Sequence, residues 1–290
     1  MIEAKILCDS VGAESPRLTT FQLRYPRFIH SEFLTHRMFS RNSSSSRATV
    51  TKSLLDEVRS SNRVTPSYFG KNQKGMRAEH ELTDDELYEC KRSWVAAAFD
   101  AAYWAEKMLN NNCHKQIVNR LLEPYTHINV ICTGVESAYL NFFGLRLDKT
   151  AQPEMKLLAE AMWQQWNERK PAIFHFGVWH LPLITPDDYD RSGGIEIETA
   201  KKISVGRCAH VSYGTDLLPI EKAIRLHDFL LTNRHFSPFE HQATPDVEYW
   251  NNNNDFGWRN SDQHGNLTGW KQYRKQLPNE NIAPLPVEYQ

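Results

Sequence analysis

Residues 35–47 read Thr-His-Arg-Met-Phe-Ser-Arg-Asn-Ser-Ser-Ser-Ser-Arg. Four consecutive serines, Ser43 to Ser46, lie between Arg41 and Arg47 and just beyond His36 and Arg37. Short hydroxyl side chains let backbone N–H groups approach closely, and guanidinium forks beside them suit a phosphate. The competing reading is a flexible serine linker with solvated arginines. The upstream residues oppose that reading. Leu18 to Tyr25 puts Phe21, Leu23 and Tyr25 on one face and Thr20, Gln22 and Arg24 on the other, a half-buried strand closed by Pro26. From Arg27 a short helix places Ile29 and Phe33 one turn apart, so an apolar strand and helix lead straight into the polar run.

Downstream, Thr83-Asp-Asp-Glu86 predicts a capping box that opens a long helix reaching Asn110 to Asn112. Lys115 to Leu122 predicts a helix ending before Pro124, and Thr126 to Thr133 a strand from its β-branched content. Helices are expected over Ser137 to Leu147 and Ala151 to Trp166, the second with Met155, Leu158, Ala159, Met162 and Trp166 on one stripe. The turn-rich stretch Thr185 to Gly194 reads as a linker. Beyond it come an expected strand, Ile203 to Ser212, a helix, Pro219 to Leu231, and a polar and aromatic loop, His235 to His241. Residues 1–184 are thus expected as a core, 185–200 as a linker, and 201–290 as a segment that forms one compact domain with the core.

The 290 residues carry 34 Lys+Arg against 35 Asp+Glu, a net charge of -1, which argues against a protein that wraps nucleic acid. Five scattered cysteines without a C-x-x-C pair disfavour a disulfide framework or a zinc knuckle. No leader pattern stands at the N-terminus and no apolar run approaches the ~20 residues of a membrane span, so a cytoplasmic protein is expected. Histidine spacing implies no metal, and no glycine-rich Rossmann or P-loop fingerprint occurs. Arg120 and Arg146 stand among apolar neighbours and need an anionic partner, either a ligand or a structural carboxylate, with Asp148 and Glu154 the candidates. Trp270, Tyr273, Arg274 and Lys275 form a further cluster, read either as a surface that stacks on a nucleic-acid strand or as an amphipathic contact segment.

Together these pieces resemble the flavin-dependent thymidylate synthase (ThyX) family. Its signature R-H-R-x-x-S-x-N-x-x-S-x-R is matched from Thr35 to Arg47 at every position but the first. Asn141-Phe-x-x-x-Arg146, Asp148 and Ala151-Gln-x-Glu154 resemble a second family block, and Arg120-Leu-Leu-Glu-Pro124 a third. Arg207-Cys-Ala-His-Val-Ser212 and His235-x-Ser237-Pro-Phe-Glu-His241 resemble elements that the family carries at its N-terminus. The resemblance therefore implies an α+β fold, a central, mostly antiparallel sheet flanked by long helices, in circularly permuted chain order. Permutation is cheap where termini lie close together, and the strand of Phe21 is then expected to pair with the segment after His241.

The resemblance further implies reductive methylation of dUMP to dTMP with FAD, NADPH and methylenetetrahydrofolate, in a homotetramer with sites between subunits. His36, Arg37, Asn42, Asn141, Ser212, His235 and Ser237 would hold the flavin, His235 also lying near the folate ring. Glu32, Thr35, Ser43, Ser44, Ser45, Ser46, Arg47, Arg120 and Arg146 would surround dUMP. Ser45, Arg47 and Arg120 would meet its phosphate, and Arg146 would polarise the uracil. Several positions depart from the family pattern: Thr35 replaces Arg, Glu32 stands where Gln is frequent, Ser43 replaces an acidic residue, and Val135 and Ser137 replace Asn and Arg. Two alternatives stay open beside dUMP methylation. One is hydroxymethylation of dUMP, or methylation or hydroxymethylation of dCMP, whose exocyclic amine could donate a hydrogen bond to Glu32. The other is a nonenzymatic nucleotide-binding relative. Arg41, extra to the pattern, is a candidate to replace the charge lost at Thr35.

Overall fold

In a computed structural model of the chain, residues 1–191, 194–211, 216–250 and 256–282 are described. Five strands form the central sheet: β1 (Glu3–Gly12), β2 (Leu18–Pro26), β3 (Ser40–Ser43), β4 (His127–Val135) and β5 (Ala172–Phe174), in the order β3-β4-β2-β1-β5. Every pairing is antiparallel except β1 with β5, so the expected α+β class and mostly antiparallel sheet are found. The polar signature itself supplies the edge strand, with Ser40 opposite Thr133 and Ser43 opposite Val130.

Phe21, Leu23 and Tyr25 point from β2 into the main core, as their alternation predicts, and meet α5 (Glu136–Arg146) and α6 (Pro153–Glu168). All five stripe residues of α6 are buried there. Before them lie α1 (His30–Phe33), α2 (Thr51–Arg59), α3 (Asp84–Asn110) and α4 (Lys115–Val118). The 27-residue α3 buries only Ala98, Ala102 and Ala105, and packs on α2 through them. Thr83 stands at its N-cap but makes no side-chain capping bond.

The C-terminal half comprises α7 (Pro186–Arg191), α8 (Ile197–His210), α9 (Ile220–Thr232), β6 (Ala243–Pro245), the hairpin β7 (Glu248–Trp250) and β8 (Phe256–Trp258), and β9 (Trp270–Gln272). It reaches the other sheet face through Cys208 of α8, which packs with Ile131, and through Ala243 of β6 and Trp270 of β9, which pack with Leu18 and Val135. A chain of buried polar groups lies against this face. Ser10 Oγ meets His180 Nδ1 at 2.9 Å, His180 Nε2 meets Thr20 Oγ1 at 2.8 Å, Thr20 meets Thr133 at 2.7 Å, and Thr133 meets His241 Nδ1 at 2.9 Å. Burial pushes both histidines down to about 3, so they are neutral.

Several expectations are corrected. Ile203 to His210 is helix, not strand: its β-branched residues are buried by tertiary packing, which outweighs their strand preference. Gly206 makes the α8–α9 crossing possible, since a Cβ there would lie 2.1 Å from the Ala223 carbonyl oxygen. The helix from Lys115 tightens at Asn119 into a 3-10 turn that runs through Pro124 to Tyr125. Strand β2 does not pair with the segment after His241; β1 and β4 already hold both of its edges, and β6 pairs with β9 instead. Trp270 is fully buried, Tyr273 joins the core around Phe239, and Arg274 and Lys275 are paired with Glu280, so this cluster is no stacking surface.

The stretch Thr185 to Gly194 contains α7, whose Asp188 forms a buried bidentate pair with Arg207 at 2.6 and 2.8 Å. Those bonds lower the Asp188 carboxyl to about 2. The stability it contributes is full above the unfolded value of about 3.9 and is lost as pH falls toward 2, so Asp188→Asn is expected to flatten this part of a denaturation-versus-pH curve. Phe142, fully buried among Phe33, Phe39 and His36, is expected to cost about 3–5 kcal/mol in urea unfolding when cut to Ala.

Candidate active site

Pro26 ends β2 and turns the chain through a 3-10 turn, Arg27–Ile29, into α1. Arg41 Nη1 donates to the carbonyls of Phe33, Leu34 and His36 at 3.3, 2.9 and 3.2 Å and so closes the end of that helix. Phe33 and Phe39 anchor the loop in the core, and His36 packs edge-on against Phe142 at 4.9 Å. Arg146, in the last turn of α5, then reaches both sides of the loop. Its Nε donates to His36 Nε2 at 2.8 Å and its Nη1 to Glu32 Oε1 at 2.5 Å.

Because His36 Nε2 accepts, its proton resides on Nδ1. Burial first, then the charges of Arg146 and Arg41, lowers its pKa to about 4, so the ring is neutral at neutral pH. Arg146 thus has a structural carboxylate, and it is Glu32 rather than Asp148 or Glu154. Asp148 accepts from Thr150, and Glu154 accepts the Ser67 N–H and hydroxyl at 2.6 and 2.9 Å.

A cavity of about 290 Å³ is lined by Thr35, His36, Arg37, Asn141 and Arg146, five of the predicted residues. The Thr35 hydroxyl donates to the Glu32 carbonyl, while Arg37 and Asn141 are exposed. On the other flank of Arg146 lies a larger cavity, about 1090 Å³, with Glu32, Phe28, Tyr68, Trp94 and Lys149 in its wall. Tyr68 belongs to the segment after α2, which carried no sequence signal.

The serine run is not a linker. Ser43 ends β3; Ser44 continues the sheet, its N–H donating to the Asn129 carbonyl at 2.8 Å and its hydroxyl accepting the Asn129 N–H at 3.0 Å. The Ser45 carbonyl accepts the N–H groups of Ala48 and Thr49 and makes a turn. Asn119 clamps that turn through the carbonyls of Ser46 and Thr49. Ser45 and Arg47 are exposed at its tip. The Ser46 hydroxyl donates to Glu123 at 2.5 Å, and Arg120 pairs with the same oxygen at 2.8 Å. Asn119 precedes Arg120 and Glu123 follows it by three residues, and neither belongs to a recurring sequence pattern that would mark it.

The predicted flavin residues divide. Asn42 Nδ2 donates to the Cys208 carbonyl at 2.8 Å, and the Ser237 hydroxyl lies 3.4 Å from Asn42 Oδ1, joining the signature to the C-terminal half. Ser237 opens a 3-10 turn, Ser237–Glu240, and His235 is exposed beside it. Ser212 lies outside the described residues. Ring-proton NMR is expected to place the His36 midpoint near 4, and Arg146→Gln is expected to move it part of the way toward the ordinary value of about 6.5.

No curated protein matches the chain by sequence. Among solved structures, the UMP/dUMP methylase PolB from Streptomyces cacaoi bound with 5-Br UMP is similar at 17% identity, with a TM-score of 0.46 over 58% of this chain and 89% of that one. The same methylase bound with 5-Br dUMP gives 20% identity and a TM-score of 0.44 over 52% and 67%. The profile of the family Thy1, thymidylate synthase complementing protein, matches residues 17–172, more than half of the chain and all of the signature from Thr35 to Arg47. The chain belongs to the Thy1 family of flavin-dependent thymidylate synthases.

Proposed function

We propose that this chain is a flavin-dependent thymidylate synthase that reductively methylates dUMP to dTMP, with methylenetetrahydrofolate as one-carbon donor and NADPH as reductant. The observation that carries the reading is the cavity in which Thr35, His36, Arg37, Asn141 and Arg146 converge from two separate sequence blocks. The donor set fits part of a flavin: Arg37 and Asn141 offer hydrogen-bond donors around a neutral imidazole. At about 290 Å³ the cavity is at the small end of ligand sites and suits one ring system, so the rest of FAD needs further walls. When bound, the flavin supplies the hydride and one-carbon chemistry.

The protein's own residues then bind and orient. Arg146, pre-set by Glu32 and His36, presents its charge to the pyrimidine and stabilises negative charge as the ring is polarised. Ser43 to Ser46 with Arg47 and Arg120 provide hydroxyls and guanidinium groups for the phosphate. Among the described residues, no hydrogen bond or ion pair joins Ser45, Arg47 or Arg120 to His36 or Arg146. The exposed Tyr88, Phe99, Tyr103 and Trp104 on α3 support an association of subunits, which the proposal takes as a homotetramer with sites completed between them. The contacts of Asn42 with Cys208 and Ser237 likewise support reading residues 201–290 as the permuted N-terminal part of the family fold.

Glu32 favours a second reading. Its carboxylate lines the larger cavity and could accept a hydrogen bond from the exocyclic amine of dCMP. Mass spectrometry after incubation with FAD, NADPH, methylenetetrahydrofolate and either dUMP or dCMP decides between them. A dTMP mass from dUMP alone is expected; a mass one oxygen heavier, or turnover of dCMP, overturns it in favour of the second reading, and unchanged nucleotides count against both. Arg146→Ala is expected to lower turnover by roughly 10²–10³-fold while flavin absorbance persists.

A further inference from the structure

Glu123 sits among groups that the nucleotide reading assigns to the phosphate. Its Oε1 accepts from the Ser46 hydroxyl at 2.5 Å and from Arg120 Nη1 at 2.8 Å. Arg27 adds a third donor group nearby. Its Nη1 donates to the Ser44 carbonyl at 3.4 Å, its buried Nε has no partner among the described residues, and the charges of Glu123 and Glu57 counter the desolvation that lowers its pKa. An internal anion is therefore already placed where two arginines and the serine turn converge.

We propose that Glu123 is a specificity-determining positioning residue: it occupies donors that the 5′-phosphate needs, and its charge opposes that of the arriving phosphate. The site then binds its nucleotide monophosphate more weakly than Arg120, Arg47 and the serine hydroxyls alone would. This keeps the phosphate exchangeable and leaves selection to contacts with the base. The inference rests on the proposed phosphate site and adds to it a residue whose effect has the opposite sign.

The test is calorimetric titration of the full-length, FAD-loaded protein with dUMP and with deoxyuridine, which lacks the phosphate. Glu123→Gln keeps the size and the acceptor for Ser46 but removes the charge. It is expected to tighten dUMP binding roughly fivefold, the scale of a partly exposed ion pair, and to leave deoxyuridine unchanged. Should the Gln variant not fold, Glu123→Asp, too short to reach both Arg120 and Ser46, is expected to tighten dUMP alone by a smaller factor. Unchanged or weaker dUMP binding by the variant overturns the proposal, as does an equal change for both ligands, which a purely structural role would produce. Failure of the unsubstituted protein to bind dUMP overturns the nucleotide reading itself and is distinguishable from either result.

Discussion

Strand β2 is hydrogen-bonded along both edges, and the arrangement of the signature depends on that double pairing. It runs opposite β4 from Leu18 against Val135 to Pro26 against His127. Strand β4 passes directly into α5, whose last turn carries Arg146; β2 passes through Pro26 into α1 and on to Glu32 and His36. One ladder therefore fixes both ends of the Arg146 contacts. A slip of one residue would turn Phe21, Leu23 and Tyr25 out of the core and separate the arginine from its partners.

Charge around the signature is largely answered from within. Arg146 has Glu32, Arg41 has three carbonyls at the end of α1, and Arg120 has Glu123. Arg41 is thus engaged structurally rather than standing free to replace the arginine absent at position 35. Arg37 and Arg47 are exposed, and no hydrogen bond or ion pair engages either side chain among the described residues. These two guanidinium groups lie beyond the two ends of β3. The guanidinium groups of Arg41, Arg120 and Arg146, by contrast, are each held by an internal partner.

The parts legible in the sequence are those where one local pattern met one burial environment. The alternation in β2 and the stripe on α6 emerge with their faces as read, because each packs against a single core. The stretch from Ile203 reads as a strand because its side chains are buried nearly all round, which erases helical periodicity and leaves only β-branched content. The five residues that line the cavity at His36 come from two blocks of family spacing, whereas the pairing of Arg146 with Glu32 follows from no local pattern. Residues 114 positions apart meet through the sheet register, and Asp148 and Glu154 were merely nearer in sequence. The Trp270 cluster shows the same limit, since a mixed aromatic and basic run looks alike on a surface and where its aromatics are buried and its cations are paired with Glu240 and Glu280.

The buried chain from Ser10 to His241 has a direction. Each threonine hydroxyl has one proton and two neighbours, so the bonds must all run one way or all the other. If they ran toward His241, its Nδ1 would accept and its Nε2 would carry a proton in a buried position without a protein partner among the described residues. A stranded N–H is harder to accommodate there than a bare lone pair. The favoured order starts at His241 Nδ1–H, passes through Thr133 and Thr20 to His180 Nε2, and leaves from His180 Nδ1–H to Ser10. Five side chains from three strands and two loops thereby share one polarity, and a single unbonded nitrogen at the far end sets the tautomer of a histidine three hydrogen bonds away.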